Sequence, residues 1–222
     1  MAEEPGIADE PGSAAVADFG DALLALDRVR AHRIATDAAL SCGPVWFFEN
    51  VVGPALERIG DGWEAGRIAL SQVYMSGRMC EDLALELLPP GVSGLRTVPR
   101  TAIAVLEDYH SLGKRIVAAS VRAAGFAILD YGDGHGAAEI AARAAKDRVD
   151  VLMISALMLR SARLVTDLRR GLEREGAHAR VVVGGAPFSL DPSLASEVGA
   201  DACGRSAADA VRLVQRFAGE LR

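Results

Sequence analysis

Aromatic side chains are scarce: Phe, Trp and Tyr make up 5% of the 222 residues. That disfavours an aromatic-rich β-sandwich and leaves the packing to Ala, Leu and Val, which suit helices and buried parallel strands. Cysteine is scarce too. Cys42, Cys80 and Cys203 stand far apart and are odd in number. Buried thiols in a reducing compartment, the cytoplasm, are therefore expected, and neither a disulfide framework nor a zinc site. No apolar run reaches the ~18 residues that a membrane span needs. Positive charge is in deficit, 24 Lys and Arg against 30 Asp and Glu. This argues against nucleic acid as a partner, because a phosphate backbone rewards clustered cations. No basic and apolar leader opens the sequence, so residues 1–16 are expected to form a flexible tail and not a signal peptide.

What is present is enough to build a core. Hydrophobic residues make up 50% of the chain and charged residues 24%, and at ~150 residues per domain the length allows about one and a half domains. Residues 17–88 read as helical. Leu23, Leu24, Leu26, Val29 and Ile34 form one helix-spaced run, and Phe47, Phe48, Val51, Val52, Leu56 and Ile59 a second. Pro54 lies inside the second run and either starts a new helix or kinks the old one. A third run spans Ala69 to Leu88 and ends at Pro89-Pro90-Gly91. Residues 89–100 read as a linker.

From residue 101 to 222 the texture changes. Short apolar runs beginning at Thr101, Phe126, Val149, Ala179 and Ala200 alternate with helical stretches. This pattern predicts βαβ units and a flavodoxin-like, doubly wound parallel sheet of about five strands behind an N-terminal helical bundle. Ligands of such sheets sit at the carboxyl ends of the strands, so three loops matter. The first reads Asp108-Tyr109-His110-Ser111-Leu112-Gly113-Lys114. A carboxylate two residues before a histidine can accept one imidazole N–H and leave the other nitrogen basic, as around a metal-binding histidine. Equally, Asp108 could cap the next helix beside an ordinary loop histidine. The second loop carries Ser155, Leu157 and Ser161, and Ser161 also suits a helix cap. The third is Gly184-Gly185-Ala186, which permits close backbone approach or a plain turn. Asp133-Gly134-His135 has the same Asp-x-His spacing but reads as a turn before a helix.

Asp-x-His-x-x-Gly, Ser-x-Leu and Gly-Gly, in this order on a parallel sheet, resemble the cobalamin-binding domain of corrinoid proteins and of cobalamin-dependent methionine synthase. The stretch from Gly53 to Gly66 is similar to the helical cap that precedes that domain in methyl-transferring members. The resemblance implies a cobalamin cofactor, cycling between methylcobalamin and cob(I)alamin. It makes His110 the lower axial ligand of cobalt, held by Asp108 and, through a relay, by Ser161. Tyr109, Ser111, Leu112, Gly113, Ser155, Leu157, Gly184, Gly185 and Ala186 would then line the cofactor and the slot for its nucleotide tail. Trp63, Tyr74 and Met75, from the apolar stripe that also holds Leu70, Val73 and Met79, would face the corrin from the cap; as bundle core they would do no such thing.

Two departures stand out: Glu107 replaces the glycine common before the motif, and Leu159 replaces a frequent hydroxyl residue. Lys114 after the motif glycine suits the methyl-carrier class or is plain surface charge. Light-sensing relatives carry a Glu-His pair where this chain has Val73 and Tyr74. The reading is thus a methyl carrier that docks with a donor-side and an acceptor-side methyltransferase, without nucleic acid or membrane, its homo-oligomeric state open. The alternatives are a cobalamin-based light or ligand sensor, and a cofactor-free signalling protein on a flavodoxin-like sheet.

Overall fold

The computed structural model describes residues 11–88 and 94–221; the Pro89-Pro90-Gly91 stop lies outside them. The chain divides into two compact units, Met1–Leu88 and Pro89–Arg222.

The first unit is all helical: α1 (Pro11–Leu24), α2 (Arg28–Cys42), α3 (Pro44–Phe47), α4 (Gly53–Glu64) and α5 (Leu70–Leu87). α1 begins inside the stretch read as a tail. The first apolar run proves to be two helices. Leu26 takes a left-handed φ of 55°, and Asp27 then caps α2 by accepting the Arg30 N–H. Pro54 stands in the first turn of α4, the new helix that is one of the two expectations. Phe48–Val52 forms a π turn that runs straight into α4, with the Gly53 N–H reaching back to the Phe48 carbonyl. Pro54 has no N–H to give an α-helical carbonyl, and the widened turn absorbs the loss. Phe19, Phe47 and Phe48 fill the centre edge to face, at centroid distances of 5.1 and 5.5 Å.

The second unit is the doubly wound sheet. Its elements are β1 (Arg96–Ala104), α6 (Leu112–Ala123), β2 (Phe126–Asp130), α7 (Ala137–Lys146), β3 (Val151–Ser155), α8 (Leu159–Arg163), α9 (Val165–Arg174), β4 (Arg180–Gly184), α10 (Ala186–Leu190), α11 (Leu194–Glu197), β5 (Ala202–Gly204) and α12 (Ala207–Glu220). The five strands are all parallel, in the order β2-β1-β3-β4-β5. β1 starts within the expected linker, because Arg96 already pairs with Phe126 before a register shift at Pro99. Leu152, Val181 and Val183 pack one face of the sheet against α7 and α9 through Ile140 and Leu168. Ile103, Met153 and Val182 pack the other against α6 and α12 through Val121 and Val214. Alternation along each strand gives both faces a core, as a doubly covered sheet requires. β1 and β3 leave in opposite directions around the sheet, so its topological switch point lies between their carboxyl ends.

The thiols differ from expectation. Only Cys80 is buried, where desolvation pushes it up to about 12; Cys42 and Cys203 reach the surface. Among the described residues no helix is long and apolar enough to cross a membrane.

Candidate functional site

The loop after β1 carries Asp108 and His110 at the switch point. Asp108 is buried, and its Oδ1 gathers three donors: the backbone N–H groups of Tyr109 at 2.7 Å and His110 at 3.3 Å, and His110 Nδ1 at 2.6 Å. Burial raises the Asp108 carboxyl, but these bonds and the imidazole's charge outweigh it and hold the pKa below the usual aspartate value. In the neutral imidazole an ionised Oδ1 this close favours the tautomer with its proton on Nδ1, which leaves the lone pair on Nε2. The His110 side chain is half exposed. A basic Nε2 on an oriented imidazole is what a soft or borderline metal takes as a ligand. Asp108 Oδ2 is buried without a hydrogen-bond partner, an arrangement that costs ~1–3 kcal/mol and that a bound group or water would relieve. Ser161, also buried, sits on α8.

The loop is held from the side by the segment after β2. The Gly134 N–H donates to the Asp108 carbonyl at 2.8 Å, and the Glu107 N–H to the His135 carbonyl at 3.1 Å. The Tyr109 ring lies so close over Gly134 that a Cβ there would come within 2.6 Å of it. The Asp133-Gly134-His135 turn is thus a platform for the motif loop. His135 itself faces Glu139 at 2.9 Å.

Lys114 is not surface charge. It is buried, and its Nζ meets Asp130 Oδ1 at 2.5 Å at the end of β2. A cation in the first turn of a helix opposes the helix dipole, and that oddity was the available sign that a fixed partner holds it. Asp130 also accepts the Gly132 N–H at 2.8 Å. Burial raises its pKa, but Lys114 and this amide lower it further. The folded state therefore gains stability above the ordinary Asp value of ~4 and loses it as pH falls through the lowered native value. Asp130→Asn should cost about 2 kcal/mol at pH 7, below a fully buried pair because Asp130 is a third exposed. In denaturant titrations its difference from the unmodified protein should shrink below pH 4.

Glu107 occupies the left-handed region at φ 44°, a conformation that favours glycine. Its carboxylate reaches Arg160 at 3.2 Å, across to α8. An exposed pair of this kind is worth little, whereas left-handed backbone costs a side-chain residue about 1–2 kcal/mol. Glu107→Gly is expected to raise the unfolding free energy by up to about 1 kcal/mol, after the unfolded-state entropy of glycine, and with it the denaturation midpoint. A loss of stability would show instead that the Arg160 pair outweighs the strain.

A cleft of about 160 Å³ opens beside the motif, between the sheet and helices α6 and α12. Ile103, Met153 and Val182 form its apolar floor, and Gly113, Ser155, Gly184 and Gly185 stand at the strand ends around it. The glycines are structural requirements. A Cβ on Gly113 would press on Ser155 Oγ at 3.0 Å, one on Gly184 on the Gly204 carbonyl at 2.9 Å, and one on Gly185, at φ 109°, on the Ala156 carbonyl at 2.0 Å. Ser111 and Leu112 lead into α6, and Ala186 opens α10 after Gly185. Tyr109 and Leu157 are exposed at the same edge of the sheet. A larger hollow of about 580 Å³ lies at the opposite, amino end of the strands. There Asp201 pairs with Arg169 and Arg180.

In the helical unit, Trp63, Leu70 and Tyr74 are exposed and Met75 is partly so, whereas Met79 is buried in the bundle. The stripe read as one surface therefore splits into core and solvent-facing members.

The residues suit a corrinoid. An orphaned buried carboxylate oxygen, an imidazole with a free nitrogen and a flat apolar cleft closed by glycines match cobalt and its nucleotide tail. Residues 101–214 match the family model of a B12 binding domain, and residues 16–84 match a second model of the same description. The monomethylamine corrinoid protein 1 of Methanosarcina mazei is 33% identical over 81% of this chain and 84% of its own. The trimethylamine corrinoid protein 2 of Methanosarcina acetivorans is 28% identical over 90% and 94%. The solved monomethylamine corrinoid protein of Methanosarcina barkeri superposes with a TM-score of 0.72 at 26% identity, covering 89% of this chain and 95% of that one.

Proposed function

Because the chain belongs to the family of B12-binding corrinoid proteins and its cofactor is a cobalamin, we propose that it is the cytoplasmic methyl carrier of a methyltransferase system, with His110 as lower axial ligand. When bound, the cobalamin supplies a cobalt centre that takes up and gives away a methyl group. The protein's own part is to hold, tune and shield it. The observation that carries the reading is the 2.6 Å contact of Asp108 Oδ1 with His110 Nδ1 at the carboxyl end of β1.

His110 Nε2 donates its lone pair toward the cofactor. Asp108 fixes the tautomer and strengthens that donation while its carboxylate stays ionised. A proton held on the Asp108–His110 pair would weaken that donation, and so the pair would tune the bound cofactor. Ser161, buried on α8, would be the hydroxyl that meets Asp108 Oδ2 in the loaded protein and would pass that proton. Gly184, Gly185 and Gly113 let the nucleotide tail run close to backbone, Ser155 meets its base, and Tyr109, Ser111, Leu112, Leu157 and Ala186 line the approach. Trp63, Tyr74 and Met75 of the helical unit would be the residues to exclude water from the reactive face. A donor-side and an acceptor-side methyltransferase are the partners, and the names of the methylamine corrinoid relatives make methylated amines the first donors to try.

The purified protein is mixed with hydroxocobalamin, desalted, and its visible spectrum recorded; a colourless protein overturns the reading. The loaded protein, once reduced, should take up one methyl group per chain from methyl iodide. Loading should quench tryptophan fluorescence, and Trp63→Phe should remove most of that quenching. Size-exclusion chromatography of the adenosyl form in darkness and in light separates a carrier from a sensor: a light-driven change of oligomeric state favours the sensor.

A further inference from the structure

We propose that Arg205 binds the phosphodiester of the cobalamin's nucleotide tail at the mouth of the cleft, which makes it a specificity residue for complete over tail-less corrinoids. The proposal rests on the cleft as the tail slot. Arg205 lines that cleft beside Ser155, Gly185 and Ser206. It is brought there by backbone: the Gly204 carbonyl lies 2.9 Å from where a Gly184 Cβ would stand, so β5 delivers the next residue directly beside the Gly184-Gly185 turn.

The charge balance at this rim is uneven. Asp209, the nearby carboxylate, is occupied. It accepts the Arg205 backbone N–H at 3.0 Å and pairs with the Arg212 guanidinium. Arg205 forms no ion pair among the described residues, and its side chain is exposed. An uncompensated guanidinium thus stands at the entrance of an apolar cleft. The tail of cobalamin joins a flat heteroaromatic base to a phosphodiester monoanion. The base suits the floor of Ile103, Met153 and Val182. The anion is left at the mouth, where a planar guanidinium offers paired donors to two phosphate oxygens. The amino end of the 14-residue helix α12, which starts at Ala207, adds potential of the same sign.

The test measures binding of cobalamin and of cobinamide, which lacks the nucleotide tail, to the full chain by tryptophan quenching or equilibrium dialysis. The unmodified protein should prefer cobalamin. Arg205→Ala should lower cobalamin affinity about ten- to a hundredfold, the effect of losing a charge-assisted bond, and leave cobinamide affinity unchanged. Arg205→Lys should fall between, keeping the charge without the paired geometry. The fall of cobalamin affinity with added salt should flatten in Arg205→Ala. Equal loss for both ligands, or no loss for either, overturns the proposal. If the unmodified protein shows no preference between the ligands, the tail slot itself is wrong and the proposal falls with it. If it binds neither, the cofactor reading fails first. Thermal midpoints of the apo variants should match the unmodified protein, because the side chain is exposed.

Discussion

Replacing His110 by Ala is expected to abolish the nitrogen splitting that a histidine imposes on the electron paramagnetic resonance of the protein loaded with cobalt(II) cobalamin. In the unmodified protein, growth on ¹⁵N-histidine should turn each triplet into a doublet, because the coupled nucleus changes its spin. A signal insensitive to that label would mean that the cofactor's own base, and not His110, sits on cobalt. The apoprotein should remain folded, since Asp108 Oδ1 keeps the backbone N–H groups of Tyr109 and His110 as partners. Asp108→Asn is the finer probe. It leaves the size of the side chain but weakens the acceptor that fixes Nδ1–H. The affinity of the site should fall ten- to a hundredfold, the range found when the outer partner of a ligating histidine is lost. Much of the residual binding comes from the cleft, so retained colour in His110→Ala is compatible with the ligand role, and the spectrum decides it.

The second large effect is expected at Gly185. Its φ of 109° is outside the comfortable range of a side-chain residue, and a Cβ would stand 2.0 Å from the Ala156 carbonyl oxygen. Gly185→Ala must therefore pay for both the backbone and the collision. A loss of at least about 3 kcal/mol is expected, a drop in thermal midpoint of roughly 10 °C for a unit of this size, with poor retention of cobalamin. Gly176→Ala is the control. Gly176 has φ 65° but nothing within 4 Å of a built Cβ, so only the left-handed backbone, about 1–2 kcal/mol, is lost. Equal effects at the two positions would show that close approach of β3 and β4 contributes nothing at the cleft.

Much of this site is legible in the chain. His110 with Asp108, the serine of the second loop and the paired glycines are residue types whose chemistry is short-range, and their spacing survives in one dimension. The alternation of strand and helix is legible too, because periodicity reports burial: Ala137, Ile140, Ala141 and Ala144 recur at helical spacing and form the buried face of α7. What was missed depends on neighbours far along the chain. Lys114 looks like surface charge until β2 brings Asp130 beside it. Asp133-Gly134-His135 looks like an incidental turn until its backbone is seen to carry the motif loop. The helical stretch between β3 and β4 divides at Leu164 into α8 and α9. The short helices α10 and α11 fill a segment with too few apolar repeats to announce them.

The deficits of the sequence narrowed the fold: few aromatics point to an Ala-, Leu- and Val-packed α/β sheet, and such a sheet is what the second unit contains. By itself the sequence also marked which residues are candidates for the chemistry, because an imidazole beside a carboxylate keeps its chemical character in any fold. Only the tertiary structure decided how those groups are poised. It set the Nδ1 proton through a 2.6 Å contact, left Asp108 Oδ2 buried without a partner, and placed Glu107 in a strained backbone. It also set Arg205 at the mouth of a cleft that no single segment encloses. Such features arise where strands distant in sequence end side by side, and a local pattern holds no record of them.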